Sequence, residues 1–199
     1  MKTLVLGLGN PILTDDGVGH LVAKEIRDRV DRREVTIIET SLAGLGLLDL
    51  LAGYDKAIII DSIQTVGGKA GQVYRLESGA LNATRHCIST HDVNLATALE
   101  LGNRLGMPLP RQIDIFAIEV ADTSTFSEEC TPKVREAIPV CVEMVIRELN
   151  GESDRYGLRI SDQKRLVCNT PPCGLENKVT EQDCNCKVWP DEEGLNEKS

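Results

Sequence analysis

The sequence has few aromatic side chains, a deficit of positive charge and no long apolar run. Aromatic residues make up 3% of its 199 residues, so a buried core must be built mainly from aliphatic side chains, within an apolar share of 41%. Lys and Arg number 22 against 31 Asp and Glu, a net charge of −9. Because nucleic-acid backbones are bound by clustered cations, a nucleic-acid partner is not expected. No segment reaches the roughly 20 apolar residues of a membrane span, so no membrane association is expected either.

Several catalytic signatures are also absent or incomplete. Gly7 and Gly9 follow the first apolar run, but a dinucleotide-binding fingerprint needs a third glycine where this chain has Ile12. The sequence has no P-loop, no Gly-x-Ser-x-Gly nucleophile elbow and no His-Glu-x-x-His zinc motif. These absences argue against nucleotide binding, serine-hydrolase chemistry and zincin chemistry.

The seven cysteines do not form a recognisable framework. Their odd number and scattered positions argue against a secreted, disulfide-bonded protein, and the N-terminal apolar run is too short for a secretory signal, so we expect a cytoplasmic protein. Cys141 lies on the apolar face of a predicted helix and is expected in the core. Four cysteines near the end of the chain are either ligands of a soft metal or free thiols: Cys168, Cys173, Cys184 and Cys186.

The apolar periodicity divides the chain near residue 150. We predict one domain over 1–150 and a polar, cysteine-containing extension over 151–199 that is loosely ordered or disordered. Five strands are predicted: Thr3–Gly9, Val35–Glu39, Lys56–Asp61, Gly71–Leu76 and Gln112–Ile118. Four helices are predicted: Val18–Val30, Leu45–Leu51, His91–Leu105 and Thr131–Leu149, the last kinked or divided at Pro139. This alternation predicts a mostly parallel sheet with helices on both faces.

Acidic and imidazole side chains occur where predicted strands end or helices begin. Asp15 and Asp16 follow the first strand, Asp61 ends the third, and His91 opens a helix. Sites in parallel sheets form beyond the carboxyl ends of the strands, so Asp16, Asp61 and His91 are expected to converge. Two carboxylates and one imidazole suit a divalent metal such as nickel or zinc.

Each of these residues also has a purely structural explanation. Asp15 and Asp16 are both suited to capping the first helix, and His91 is equally placed for a structural role at a helix start. Asp61 follows three isoleucines, so its carboxylate must be hydrogen-bonded, ion-paired or placed in an open cleft. The strand-end rule favours the cleft.

Four segments, in the same order along the chain, resemble the hydrogenase maturation proteases, the endopeptidases that complete the large subunit of [NiFe]-hydrogenases. Leu4–Gly19 (LVLGLGNPILTDDGVG) is similar to the family signature G-x-G-N-x-x-x-x-D-[DE]-G-x-G. Ala57–Ile63 (AIIIDSI) and Ser89–Leu95 (STHDVNL) resemble the family's acidic and histidine segments, and Phe126–Pro139 is also similar. The resemblance covers residues 1–149 and does not extend to the cysteine-containing extension.

The resemblance implies a fold, a site and a substrate. The fold would be a three-layer α/β/α arrangement around a twisted, mostly parallel five-stranded sheet, similar to the phosphorylase/hydrolase type. The catalytic and metal-contacting residues would be Asp16, Asp61 and His91. The substrate would be a large-subunit precursor that already carries nickel, so nickel would belong to the precursor rather than reside in the enzyme.

The implied reaction is hydrolysis that removes the precursor's C-terminal extension, of an aspartic or metal-assisted type. Without serine or cysteine machinery, water is the expected nucleophile, and one carboxylate is a candidate general base. We expect the enzyme to act as a monomer. The alternative hypothesis is a non-catalytic, nickel-binding maturation chaperone that uses the same three residues without cleaving a peptide bond.

Overall fold

The computed structural model describes residues 1–65, 67–77, 95–152 and 158–159, with residues 77, 158 and 159 described for their backbone alone. By its internal contacts the chain divides into Met1–Asn169 and Thr170–Ser199, and every described residue lies in the first unit. The predicted boundary near residue 150, the state of the extension and the role of its four cysteines stay predictions, because the extension lies almost wholly outside the described residues.

One sheet forms the centre of the described unit. Its strands are β1 (Thr3–Leu8), β2 (Val35–Thr40), β3 (Lys56–Ile63), β4 (Val73–Glu77), β5 (Gln112–Glu119) and β6 (Leu158–Arg159). Their order across the sheet is β2-β1-β3-β5-β4-β6. The first four in that order run parallel to one another, whereas β4 is antiparallel to β5 and parallel to β6. All five predicted strands are present in a mostly parallel α/β fold, and the two-residue β6 adds a sixth strand that sequence analysis missed.

Four helices accompany the sheet: α1 (Val18–Arg29), α2 (Gly46–Leu51), α3 (Leu95–Arg104) and α4 (Pro132–Leu149). Their predicted positions are confirmed to within a few residues, except that the predicted start of α3 at His91 lies outside the described residues. Of the two effects predicted for Pro139, division of the last helix is wrong, because α4 continues through that residue to Leu149, and a kink stays a prediction. None of the helices in the described ranges is long and apolar enough to cross a membrane.

The two faces of the sheet carry separate hydrophobic clusters because successive strand residues point in opposite directions. One cluster joins α1 and α4 to strand residues Val5, Ile58, Ile60 and Phe116. The other joins α2 and α3 to Leu4, Leu6, Ile59 and Ile115. Cys141 is fully buried in the first cluster, which confirms its predicted place in the core.

A buried group of four charges fixes α4 to the sheet at the amino end of β3. Lys56 forms ion pairs with Glu148 of α4 and with Asp114 of β5, the latter at 3.4 Å. Arg75 of β4 contacts the same two carboxylates, at 2.6 Å from Glu148 and 3.2 Å from Asp114. Two positive and two negative side chains therefore compensate one another where desolvated charge would otherwise be costly.

Candidate active site

The loop between β1 and α1 folds closely against its surroundings because glycine occupies its tightest positions. Gly9 has a φ of +130°, and a Cβ atom placed there would lie 1.9 Å from the carbonyl oxygen of Asp16. In the first turn of α1, which follows this loop, a Cβ atom on Gly19 would lie 2.2 Å from the carbonyl oxygen of Leu8. The signature glycines thus allow the chain to turn back on itself, so that Asp16 lies directly beside the end of β1.

Asp16 is held inside this turn by hydrogen bonds to both carboxylate oxygens. The backbone N–H of Asn10 donates to Oδ2 at 2.8 Å, and the hydroxyl of Ser62 donates to Oδ1 at 2.9 Å. The residue is only 3% exposed. Gly17, which precedes α1, has no side chain with which to cap that helix, and the Asp16 carboxylate instead contacts Asn10, just after β1, and Ser62 of β3.

Asp61 lies within β3, not at its end. The strand continues to Ile63, and Asp61 is opposite Ala117 of β5. The residue is 1% exposed, so the open cleft expected from the strand-end rule is wrong for this side chain. The other alternative holds, because Asp61 Oδ1 accepts a hydrogen bond of 2.9 Å from the Ser62 backbone N–H.

Ser62 joins the two carboxylates. Its hydroxyl donates to Asp16 while its backbone N–H donates to Asp61, so both acids contact the same residue of β3. Sequence analysis did not single out Ser62. The available signal was its place directly after Asp61 in the segment AIIIDSI, where a small hydroxyl residue follows an acid in a buried strand.

Asp15 has a different role from its neighbour. Its side chain is fully buried and binds the segment between β5 and α4, including the Thr131 backbone N–H at 2.6 Å. The expectation that Asp15 caps the first helix is therefore wrong, because its carboxylate lies at the start of α4. Sequence analysis missed Thr131 as a partner, since nothing local connects two residues 116 positions apart.

His91, the third predicted site residue, lies outside the described residues, so its convergence with Asp16 and Asp61 stays a prediction. Within the described part of the chain, no group of three His, Cys, Asp or Glu side chains is arranged to hold a metal ion. Carboxylate oxygens suit a divalent metal, and Asp16 and Asp61 are the two members of the predicted ligand set that the structure describes.

The two described cysteines are unsuited to nucleophilic chemistry. Burial raises the pKa of the Cys130 thiol to about 11, with a further contribution from the negative charge of Asp15. Burial alone raises the pKa of the Cys141 thiol to about 12. Because the thiolate is the reactive form, neither residue supplies a nucleophile near neutral pH. This agrees with the sequence-based argument against a cysteine mechanism.

Comparison with known proteins now assigns the chain to a family. The HycI hydrogenase maturation protease model matches residues 20–148, a segment that begins after Asp16 and includes Asp61 and His91. The chain belongs to the hydrogenase maturation protease family. The family predicted from the sequence motifs is therefore confirmed.

Individual relatives agree with the family match. The chain is 28% identical over 151 residues to the hydrogenase 2 maturation protease of Escherichia coli, covering 75% of this chain and 91% of the relative. It is 25% identical over 182 residues to the hydrogenase expression/formation protein HupD of Bradyrhizobium diazoefficiens, covering 84% and 90%. The solved structure of the hydrogenase maturating endopeptidase HybD from E. coli superposes with a TM-score of 0.68 at 27% identity, covering 77% of this chain and 94% of HybD.

Proposed function

We propose that this chain is an endopeptidase that removes the C-terminal extension from a nickel-loaded precursor of a [NiFe]-hydrogenase large subunit. The observation that carries the proposal is that Asp16 and Asp61 both bond to Ser62 of β3, in a member of this protease family. The similarity to proteins named as maturation proteases and endopeptidases supports peptide hydrolysis as the reaction.

The proposed site uses Asp16, Asp61 and His91 to contact the nickel that the precursor carries. Two carboxylates and an imidazole are suitable ligands for Ni²⁺, and their contact would place the scissile bond beside the two acids. Asp16 and Asp61 are almost fully enclosed, so contact with a precursor requires rearrangement of the residues that cover them.

Hydrolysis follows from water activation by one of the two carboxylates. The carboxylate accepts a proton as water attacks the scissile carbonyl carbon, and the proton then passes to the leaving amide nitrogen as the C–N bond breaks. The protonated thiols of Cys130 and Cys141 support water as the nucleophile. Because the peptide bond is cleaved by water, the products are the shortened large subunit and a free peptide.

The same proposal includes the twisted three-layer arrangement implied by the sequence, which the separate hydrophobic clusters of the two helix pairs support. The cytoplasmic location, the monomeric state and the lack of a nucleic-acid partner stay predictions from the sequence.

Intact-mass analysis of the precursor tests the function directly. Wild-type protein is expected to shorten the nickel-loaded precursor by one C-terminal peptide and to leave the nickel-free precursor intact. Asp16→Asn, Asp61→Asn and His91→Ala are expected to abolish cleavage, whereas Asp28→Asn, at an exposed position of α1, is expected to cleave normally. Binding without a shortened product would favour the chaperone hypothesis, and normal cleavage by all three site variants would exclude this site.

A further inference from the structure

Asp15 makes a set of hydrogen bonds that the proposed reaction does not itself require. Its Oδ1 accepts from the Thr131 backbone N–H at 2.6 Å. Its Oδ2 accepts from the Thr131 hydroxyl at 3.0 Å, from Asp122 N–H at 3.0 Å and from Ala121 N–H at 3.1 Å. Four donors thus compensate one fully buried carboxylate, and all of them belong to the segment between β5 and α4.

Backbone contacts bind the same two segments together. The Asp15 N–H donates to the Asp122 carbonyl at 3.0 Å, so the two residues exchange hydrogen bonds in both directions. The Thr14 N–H and hydroxyl both donate to the carbonyl of Thr125, at 3.1 and 2.7 Å. The residue that directly precedes Asp16 is therefore fixed to a segment more than 100 positions away in the sequence.

The hydrogen bonds of Asp15 also place a negative charge at the start of α4. Thr131 immediately precedes this helix, and the first turn of α4 contains no acidic residue of its own. The Asp15 carboxylate accepts both the backbone and the side-chain donor of Thr131, so it supplies the anion that a helix N-terminus favours. Because α4 packs into the hydrophobic cluster that it shares with α1, it is a rigid support for the loop.

We propose that Asp15 is a positioning residue for the cleavage reaction, which clamps the β1–α1 loop to the start of α4 and thereby holds the Asp16 carboxylate in place. This inference rests on the proposed function for its catalytic consequence. The Asn10 N–H that donates to Asp16 reports on the position of the carboxylate without any substrate. The clamp can therefore be measured separately from cleavage.

Thr131→Val tests the clamp by removing one donor and keeping a similar side-chain volume. Losing one such hydrogen bond is expected to speed amide hydrogen exchange at Asn10 by about tenfold. In the nickel-loaded precursor assay we expect kcat to fall about tenfold, with KM within about twofold of wild type, because the scissile bond is bound but poorly aligned with Asp16. Thr131→Ser keeps the hydroxyl and is expected to show the wild-type Asn10 exchange rate and the wild-type kcat.

Ser127→Ala is the matched control, because it removes a hydroxyl from the same segment whose one hydrogen-bond partner among the described residues is Glu129. It is expected to leave Asn10 exchange and kcat unchanged. The clamp is overturned if Thr131→Val changes neither quantity, or if Thr131→Ser or Ser127→Ala changes them as much. Failure of the wild-type protein to cleave any precursor would overturn the proposed function, while the Asn10 exchange rates would still decide the clamp.

Discussion

Ser62 and Asp16 are 46 positions apart in the sequence and are joined by a hydrogen bond of 2.9 Å between the Ser62 hydroxyl and Asp16 Oδ1. The same serine donates its backbone N–H to Asp61, so one residue of β3 sets the relation between the two acids of the proposed site. The side-chain bond is removable by substitution, whereas the backbone bond is not. A substitution of Ser62 can therefore test how Asp16 is positioned while the backbone contact to Asp61 is kept.

Ser62→Ala is expected to slow precursor cleavage by about tenfold and to lower the free energy of unfolding by about 1–3 kcal/mol, because Asp16 loses a buried donor. Cleavage is measured as the rate of precursor shortening, and stability by urea unfolding. Ser124→Ala removes an exposed hydroxyl that bonds to Asp122 and should change neither quantity much. A Ser62→Ala variant with full activity would show that this contact does not position Asp16.

The sequence predicted the strands and helices well because their apolar periodicity is a local property. It singled out Asp16 and Asp61 as candidate site residues because acids near strand ends are conspicuous beside apolar runs, and their catalytic role stays a prediction. It could not predict the partners of Asp15, since Ala121, Asp122 and Thr131 become neighbours only when β5 and α4 are packed.

Strand direction and strand length were the other limits. The alternation of strands and helices favours parallel pairing, but β4 is antiparallel to β5, and local sequence pattern does not encode that choice. The chain segment after Asp61 continues as strand because Ser62 and Ile63 pair with Ile118 and Glu119 of β5. That pairing buries Asp61, which the strand-end rule placed in the open.

Gly9→Ala should disrupt the β1–α1 loop. The new Cβ atom would lie 1.9 Å from the Asp16 carbonyl oxygen, and the φ of +130° is unfavourable for any other residue. We expect a loss of at least about 3 kcal/mol of unfolding free energy, measured by urea denaturation. Gly53→Ala is the control, with a φ of +85° and no atom of the described residues within 4 Å of the added Cβ, and should cost only about 1 kcal/mol. Equal losses in the two variants would contradict this account of the loop.

Lys56→Met should show that the buried charges near β3 depend on one another. After the substitution, Arg75 is the one positive member of this group, among the described residues, that still pairs with Asp114 and Glu148. We expect a loss of about 3–5 kcal/mol of unfolding free energy. Arg29→Met breaks an exposed ion pair with Glu143 and should cost less than about 1 kcal/mol. Chemical denaturation measures the unfolding free energy of both variants. A loss in Lys56→Met as small as that in Arg29→Met would contradict this account of the buried charges.

The buried thiol of Cys141 should make stability fall in alkaline solution. Its pKa is about 12 in the folded chain against an ordinary value of 9.0, so above pH 9 the unfolded chain loses a proton that the folded chain keeps. Unfolding is then favoured as pH rises, and the contribution lost between pH 8 and pH 11 is about 2–3 kcal/mol. Urea unfolding under reducing conditions, repeated across this range, measures the decline.

Cys141→Ala isolates this contribution, because tyrosines, lysines and the other cysteines titrate in both proteins. The variant should be less stable than wild type at pH 7, since it loses buried volume from the core cluster. The difference between the two proteins should then narrow as pH rises above 9, because the variant has no thiol at this position to ionise on unfolding. Stability curves that stay parallel up to pH 11 would show that the Cys141 thiol ionises as readily in the folded chain as in the unfolded one.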